Sequence, residues 1–288
     1  PHPRTPSPQP PASRPAPLPP VSVQGRQSTE DFVQAIRTKL NEEGQTPNQA
    51  IDWIFTKKKD AGDSEAAGVL EAFEGAVQSL RDDVKTKVLK LKPKNPSDSF
   101  KLRPEQLRTA RWLVHRVFAR LRTAGGKSLA ATFAGYVWWL IMKAQDIERP
   151  VVLQFRMQEH LHDERDGLAA GLILSRLGVQ IGLVQSDPDG GQQGSLFNPS
   201  LSEYHEDVDV TVPGAFEPAG GAERVYAHAD MIFATGDKFI HHYEQELLAL
   251  VRTARALGAR EAAVISDEAD TLYGNPLDPY LISGGPVA

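Results

Sequence analysis

The sequence predicts an α/β fold in which helices cover both faces of a parallel sheet, preceded by a small helical region. Three observations support it. Apolar strand-like runs alternate with helical stretches from residue 102 onward, which is typical of parallel sheets. A Gly-Gly-Lys-Ser turn at residues 125–128 precedes a long apolar stretch, and a carboxylate pair, Asp267 and Glu268, follows an apolar run. The last two features also indicate the chemistry.

Composition limits the class of protein. The 288 residues, 40% of them hydrophobic, can form one sizeable core and a small second one. A net charge of −5 is a poor match for a protein that mainly binds nucleic acid. The absence of cysteine excludes disulfides, thiolate zinc sites and cysteine nucleophiles. There is no apolar run of about 18 residues and no apolar signal region, so neither a membrane span nor secretion is indicated.

Residues 1–27 are expected to form a disordered tail or linker. Ten of the 22 prolines lie in residues 1–20, so this stretch should be extended, and a ligand for proline-binding domains is the alternative. Because the chain begins with proline rather than methionine, we expect a fragment or a processed form.

Residues 28–97 are predicted to form a small helical region. Ser28 with Asp31 resembles a capped helix start. Residues 46–49, Thr-Pro-Asn-Gln, combine an N-cap, a first-turn proline and a capping-box glutamine. Residues 92–96 break the helical pattern and are the candidate domain boundary.

Residues 98–288 are predicted to form the α/β lobe. A polar insertion at 186–221 is expected to be a surface loop or a hairpin over the sheet edge, with a hint of a strand only at 208–212. The helix over 161–177 should be amphipathic, with its leucines inward. We predict helices over 106–116, 129–142, 161–177 and 243–257, and strands over 117–121, 151–155, 179–184, 231–234 and 262–265.

The glycine turn is a candidate phosphate site. At a helix N-terminus, backbone N–H groups and the helix dipole both favour anionic oxygens. Lys127 would reach the β- and γ-phosphates, and the Ser128 hydroxyl would bind Mg²⁺. The full phosphate-loop pattern has a further glycine five residues before Gly126, where this chain has Leu121, so a plain glycine turn before a core helix is the alternative.

The carboxylate pair would complete a nucleotide site. Asp267 suits an Mg²⁺-side aspartate and Glu268 a glutamate that activates water. In isolation the pair could be a solvated helix start. Ligands of open α/β sheets bind at the carboxyl ends of the strands, where both motifs are expected. The histidines at 160, 162, 241 and 242 are interpreted as surface residues, because adjacent or alternate positions do not share a helix face.

Six segments carry a resemblance to a known family: 102–107, 122–129, 160–166, 226–235, 267–272 and 281–284. Taken in order, they resemble the first nucleotide-binding lobe of the SecA preprotein translocase ATPases, which are relatives of the DEAD-box helicases. In this chain Ala124 stands for the family's glycine and Gly125 for its glutamate, and residues 273–279 differ, so it resembles a divergent member.

The resemblance implies a RecA-like lobe that binds and hydrolyses Mg·ATP. Gln106, 21 positions before Lys127, would contact adenine. Lys127 and Glu268 would be catalytic, and Mg²⁺ would be held by Ser128 and, through water, by Asp267. Capping or exposure at a helix start is the alternative role of Gln106. The nucleotide would be held by Gln106, Thr123, Ala124, Gly125, Gly126, Lys127 and Ser128.

The resemblance also implies partners and a location. It implies a second motor lobe further along the same chain, a polypeptide substrate, a membrane channel, and a cytoplasmic location peripheral to a membrane. Two other functions stay open: a DEAD-box-type helicase lobe, against which the acidic balance speaks, and a nucleotide-binding scaffold that has lost turnover.

Overall fold

The structure, a computed structural model, describes residues 23–56, 64–80, 82–87, 89, 91, 99–115, 126–147, 150–156, 166–186, 192–198, 215–219, 221–235 and 262–266. Several predicted features lie outside these residues: most of the tail, the boundary at 92–96, the strands at 117–121 and 208–212, the helix at 243–257 and the four histidines.

Among the described residues, four helices lie before residue 98: α1 (Val23–Asn41), α2 (Pro47–Phe55), α3 (Ser64–Gln78) and α4 (Asp82–Lys87). The capping box is confirmed at α2. The Thr46 hydroxyl accepts from the Gln49 N–H at 3.3 Å, and the Gln49 side chain accepts from the Thr46 N–H at 2.8 Å. Helix α1 begins at Val23 rather than at Ser28. Within it, the buried Thr29 bonds to the Tyr136 hydroxyl and the Leu177 carbonyl, which links α1 to the sheet lobe.

Six strands form one sheet in the order β4-β3-β2-β5-β1-β6. Of the five strands predicted for the parallel sheet, the four among the described residues are confirmed as parallel neighbours, and two antiparallel strands make the sheet mixed. The strands are β1 (Val151–Arg156), β2 (Ile181–Ser186), β3 (Gln192–Phe197), β4 (Phe216–Pro218), β5 (Met231–Thr235) and β6 (Ala262–Ser266).

Strands β3 and β4 correct the prediction of a surface loop over 186–221. Both extend one edge of the sheet with antiparallel pairing, so the alternative of a hairpin over the sheet edge is right for 192–197 and 216–218. Leu196 and Phe197 are buried, because Phe197 packs on the helix that precedes β2 and Leu196 faces the opposite side. A close approach at Gly194 also matters: a Cβ there would lie 2.5 Å from the Gly221 carbonyl oxygen.

Helices cover both faces of the sheet, as predicted. Helices α6 (Lys127–Ala144) and α7 (Leu168–Leu174) lie on one face and α8 (Ala222–His228) on the other. Helix α7 was expected to be amphipathic, yet all seven of its residues are buried, because it lies between the sheet and α3.

The predicted buried helix over 129–142 is confirmed as α6. Every residue in that range is buried, because the sheet covers one side of α6 while α1, α2 and α5 (Pro104–Val114) cover the other. Phe133 of α6 contacts Phe55 and Phe73 at ring-centroid distances of 5.5 and 4.9 Å. The helices that precede the lobe therefore share one hydrophobic core with it.

Candidate functional site

The candidate site begins at the N-terminus of α6. Gly126 is the N-cap with a φ of 77°, a left-handed conformation that favours glycine. Lys127 and Ser128 follow as the first helical residues, both partly exposed. A Cβ on Gly126 would lie only 2.1 Å from the Gln106 Nε2 atom, so a larger residue here would displace the Gln106 side chain as well as strain the backbone.

Gln106 joins the start of α5 to the start of α6. Its Oε1 accepts from the Arg103 backbone N–H at 2.9 Å, and its Nε2 donates to the Gly126 carbonyl at 3.4 Å. The bond to the Arg103 N–H is a capping contact, which was one alternative role for Gln106. The Gln106 side chain is also buried. The adenine contact stays a prediction. The structure thus brings Gln106, Gly126, Lys127 and Ser128 together at one junction.

Two hydrogen bonds show how α6 runs over the sheet. Near its beginning, the Ala131 carbonyl accepts from Gln154 Nε2 at 3.2 Å, and Gln154 lies in the second half of β1. Near its end, Trp139 Nε1 donates to Asp230 Oδ1 at 3.1 Å, and Asp230 directly precedes β5. The N-terminus of α6 therefore lies toward the carboxyl edge of the parallel strands, the edge at which ligands of such sheets bind.

The carboxylate motif follows this same edge. Strand β6 pairs with β1 in parallel, with Phe155 opposite Ser266, the last residue of β6. Asp267 is the next residue in the chain. Asp267 and Glu268 themselves, together with Thr123, Ala124 and Gly125, lie outside the described residues, so their positions relative to Lys127 stay predictions.

Asp230 has a structural role that sequence reasoning missed. Its carboxylate accepts from the Trp139 indole and, at 2.8 Å, from the Gln180 backbone N–H. These contacts tie α6, β2 and β5 together at the amino edge of the sheet. The resemblance singled out residues 226–235, but Asp230 lies at the edge opposite the candidate site.

An ionic cluster links α2 to α5. Asp52 Oδ1 accepts from Arg111 at 2.8 Å and lies 2.8 Å from His115 Nε2. Burial raises the pKa of Asp52, but hydrogen bonds from His115 and Arg111 outweigh it and hold the pKa below its ordinary value. Among the described residues no group of three or more histidine, aspartate or glutamate side chains could hold a metal ion.

The chain was compared with known proteins. No protein-family model matches it, and no curated protein matches it. No helix among the described residues combines the length and the apolar character needed to cross a bilayer.

Proposed function

We propose that the chain is an ATP-binding and ATP-hydrolysing lobe of the RecA-like type, from a SecA-like protein translocase motor. The observation that carries the proposal is the junction of α5 and α6. There a left-handed glycine, a lysine and a serine open a helix at the carboxyl edge of parallel strands, with a buried glutamine against the glycine.

Each residue has a role in this proposal. The Lys127 ammonium reaches the β- and γ-phosphates, and the helix dipole and backbone N–H groups at the N-terminus of α6 favour phosphate oxygens. Ser128 and, through water, Asp267 hold Mg²⁺, which neutralises phosphate charge when bound. Glu268 orients the attacking water, and Gln106 contacts the adenine edge.

The motor role needs partners. In a two-lobe motor, ATP lies between the lobes, and the second lobe supplies an arginine on the far side of the γ-phosphate. We propose that this lobe belongs to the same chain beyond residue 288, that the moved substrate is a polypeptide at a membrane channel, and that the protein is cytoplasmic and peripheral to the membrane. These partners rest on the resemblance alone.

Calorimetry with Mg·ADP tests the nucleotide site. Lys127→Ala should weaken binding by about 10- to 100-fold, since a charge-assisted contact contributes about 1.5–3 kcal/mol. Lys143→Ala is the matched control, because Lys143 lies in the last turn of the same helix, over the Trp139 ring. Gln106→Ala should weaken Mg·ADP more than Mg·GDP. Equal Mg·ADP affinity for wild type and Lys127→Ala would contradict the proposal.

A nucleotide-binding scaffold without turnover is the second candidate. It is favoured by Ala124 and Gly125, which replace the glycine and glutamate of the family's loop. Binding without hydrolysis in the full-length protein would support it. Salt-dependent RNA binding would instead favour the helicase alternative.

A further inference from the structure

Gln154 is a polar residue where the fold has room for an apolar one. It lies in β1 and is 2% exposed. On the same face of the sheet, the neighbouring position in β1 is Val152, and the residues in register on β5 and β6 are Phe233 and Ile265. An apolar side chain would pack among these neighbours and would need no hydrogen-bond partner.

One end of the Gln154 amide has a hydrogen-bond partner in the part of the chain that the structure describes, and the other end does not. Its Nε2 donates to the Ala131 carbonyl at 3.2 Å and lies 3.3 Å from the Met231 sulfur, while its Oε1 has no partner among the described residues. The opposite orientation would direct Oε1 at a carbonyl oxygen. A buried amide oxygen without a partner destabilises a fold. The hydrogen bond to the Ala131 carbonyl is the favourable contact that Gln154 makes and that an apolar residue could not make.

The contact acts on the phosphate end of α6. Ala131 comes four residues after Lys127, about 6 Å along the helix axis. The approach is close because position 135 is glycine, where a Cβ would lie 3.1 Å from Gln154 Nε2 and 2.6 Å from the Met231 methyl carbon. Apolar packing resists separation of helix and sheet, but a directional hydrogen bond also resists sliding of α6 along β1.

We infer that Gln154 is a positioning residue: its amide fixes the height of the α6 N-terminus over the carboxyl ends of β1 and β6. This rests on the proposed function, because the group being positioned is the Lys127 and Ser128 pair relative to the residue that follows β6. Gln154 acts through α6 and does not itself touch the nucleotide.

The test is Mg·ADP calorimetry on four forms of the whole chain. Gln154→Met keeps the side-chain length but cannot donate, so binding should weaken by about three- to tenfold at all pH values. Val152→Ala, in the same strand and on the same face, destabilises the core without touching the hydrogen bond and should keep the wild-type affinity. Equal losses in both variants, or in neither, would overturn the inference.

Gln154→Glu adds a readout that a general packing role would not change. Burial raises the pKa of such a carboxyl, and only its protonated form can donate to the Ala131 carbonyl. The Mg·ADP affinity of Gln154→Glu, taken relative to wild type at each pH, should therefore be near one at about pH 6 and fall as pH rises. The ratio is used because the terminal phosphate of the nucleotide also titrates near pH 6. The groups placed against Gln154 are the Ala131 carbonyl, Gly135 and the Met231 thioether, and none of them titrates in that range. A flat profile for Gln154→Glu would overturn the inference.

A second measurement separates this inference from the proposed function. If wild type binds no Mg·ADP, the nucleotide site fails, but the positioning contact can still be tested by amide hydrogen exchange without ligand. Gln154→Met should then speed exchange in the first half of α6 relative to its second half. A uniform change along α6 would show that Gln154 contributes only general stability.

Discussion

A pair of glycine substitutions tests whether β3 is an integral strand of the sheet. Gly171 lies in α7, and a Cβ there would lie 2.4, 2.7 and 2.8 Å from three ring carbons of Phe197 in β3. That ring is 1% exposed and packs edge-on against Phe216 of β4, with centroids 5.4 Å apart. It therefore has little room to move. Gly75, in α3, is exposed, and a Cβ there would meet nothing within 4 Å.

The two alanine variants should shift stability in opposite directions. Alanine in place of a helical glycine gains about 1 kcal/mol at either position. At Gly171 the overpacking should cost about 2–3 kcal/mol, because the clash meets a buried ring rather than a flexible chain end. Gly171→Ala should thus lose about 1–2 kcal/mol, and Gly75→Ala should gain about 0.5–1 kcal/mol.

Urea unfolding measures both differences. The midpoints should move in opposite directions with unchanged slopes, so that linear extrapolation is valid for each variant. A Gly171→Ala protein as stable as Gly75→Ala would refute the packing of Phe197 on α7. In that case residues 192–197 would form the surface loop that the polar sequence suggests.

Three further predictions concern charge and turnover. Asp52→Asn should lower the free energy of unfolding by about 1 kcal/mol or less at neutral pH, because Asp52 is half-exposed and solvent screens its ion pairs. Folding lowers the pKa of Asp52, so urea unfolding should show this difference vanish as pH falls through that pKa. Lys101→Met should lose about 1 kcal/mol in the same assay, because the buried Glu74 carboxylate loses a 2.7 Å contact while solvent screens Lys101, which is 55% exposed. Glu74→Gln in that background should recover part of the loss. The chain should hydrolyse ATP slowly in a phosphate-release assay, since an arginine from a second lobe contributes about 10³ to 10⁵ in rate. Fast hydrolysis that Glu268→Gln abolishes would mean that Arg122 or Arg165 already completes the site.

The parts of the fold that could be predicted depend on local pattern. Strands β1, β2, β5 and β6 are short apolar runs, and α6 is a long apolar run that follows a glycine turn. The length of each run and the turn beside it therefore predict these elements. Strands β3 and β4 could be predicted only as the hairpin alternative to a surface loop. The segment of β3, Gln-Gln-Gly-Ser-Leu-Phe, has only two large apolar residues. Its burial depends on contacts between Phe197 and Gly171 and between Gly194 and Gly221, and the residues of each pair lie more than 20 positions apart in the sequence.

The candidate site shows the same division. The Gly-Lys-Ser sequence predicts a helix N-terminus, and the structure has one. The contact between Gln106 and Gly126 spans 20 positions and could not be derived from local pattern. Gln154 did carry a signal, a single amide inside an apolar strand, but its partner on α6 is known only from the packing of helix on sheet.

The most direct test of the central claim is a crystal structure of the chain with Mg·ADP. The β-phosphate should lie at the N-terminus of α6, with Lys127 and Ser128 in contact with the phosphate and its Mg²⁺, and the adenine should lie beside Gln106. A nucleotide bound elsewhere on the chain, or this helix N-terminus left empty at saturating Mg·ADP, would contradict it.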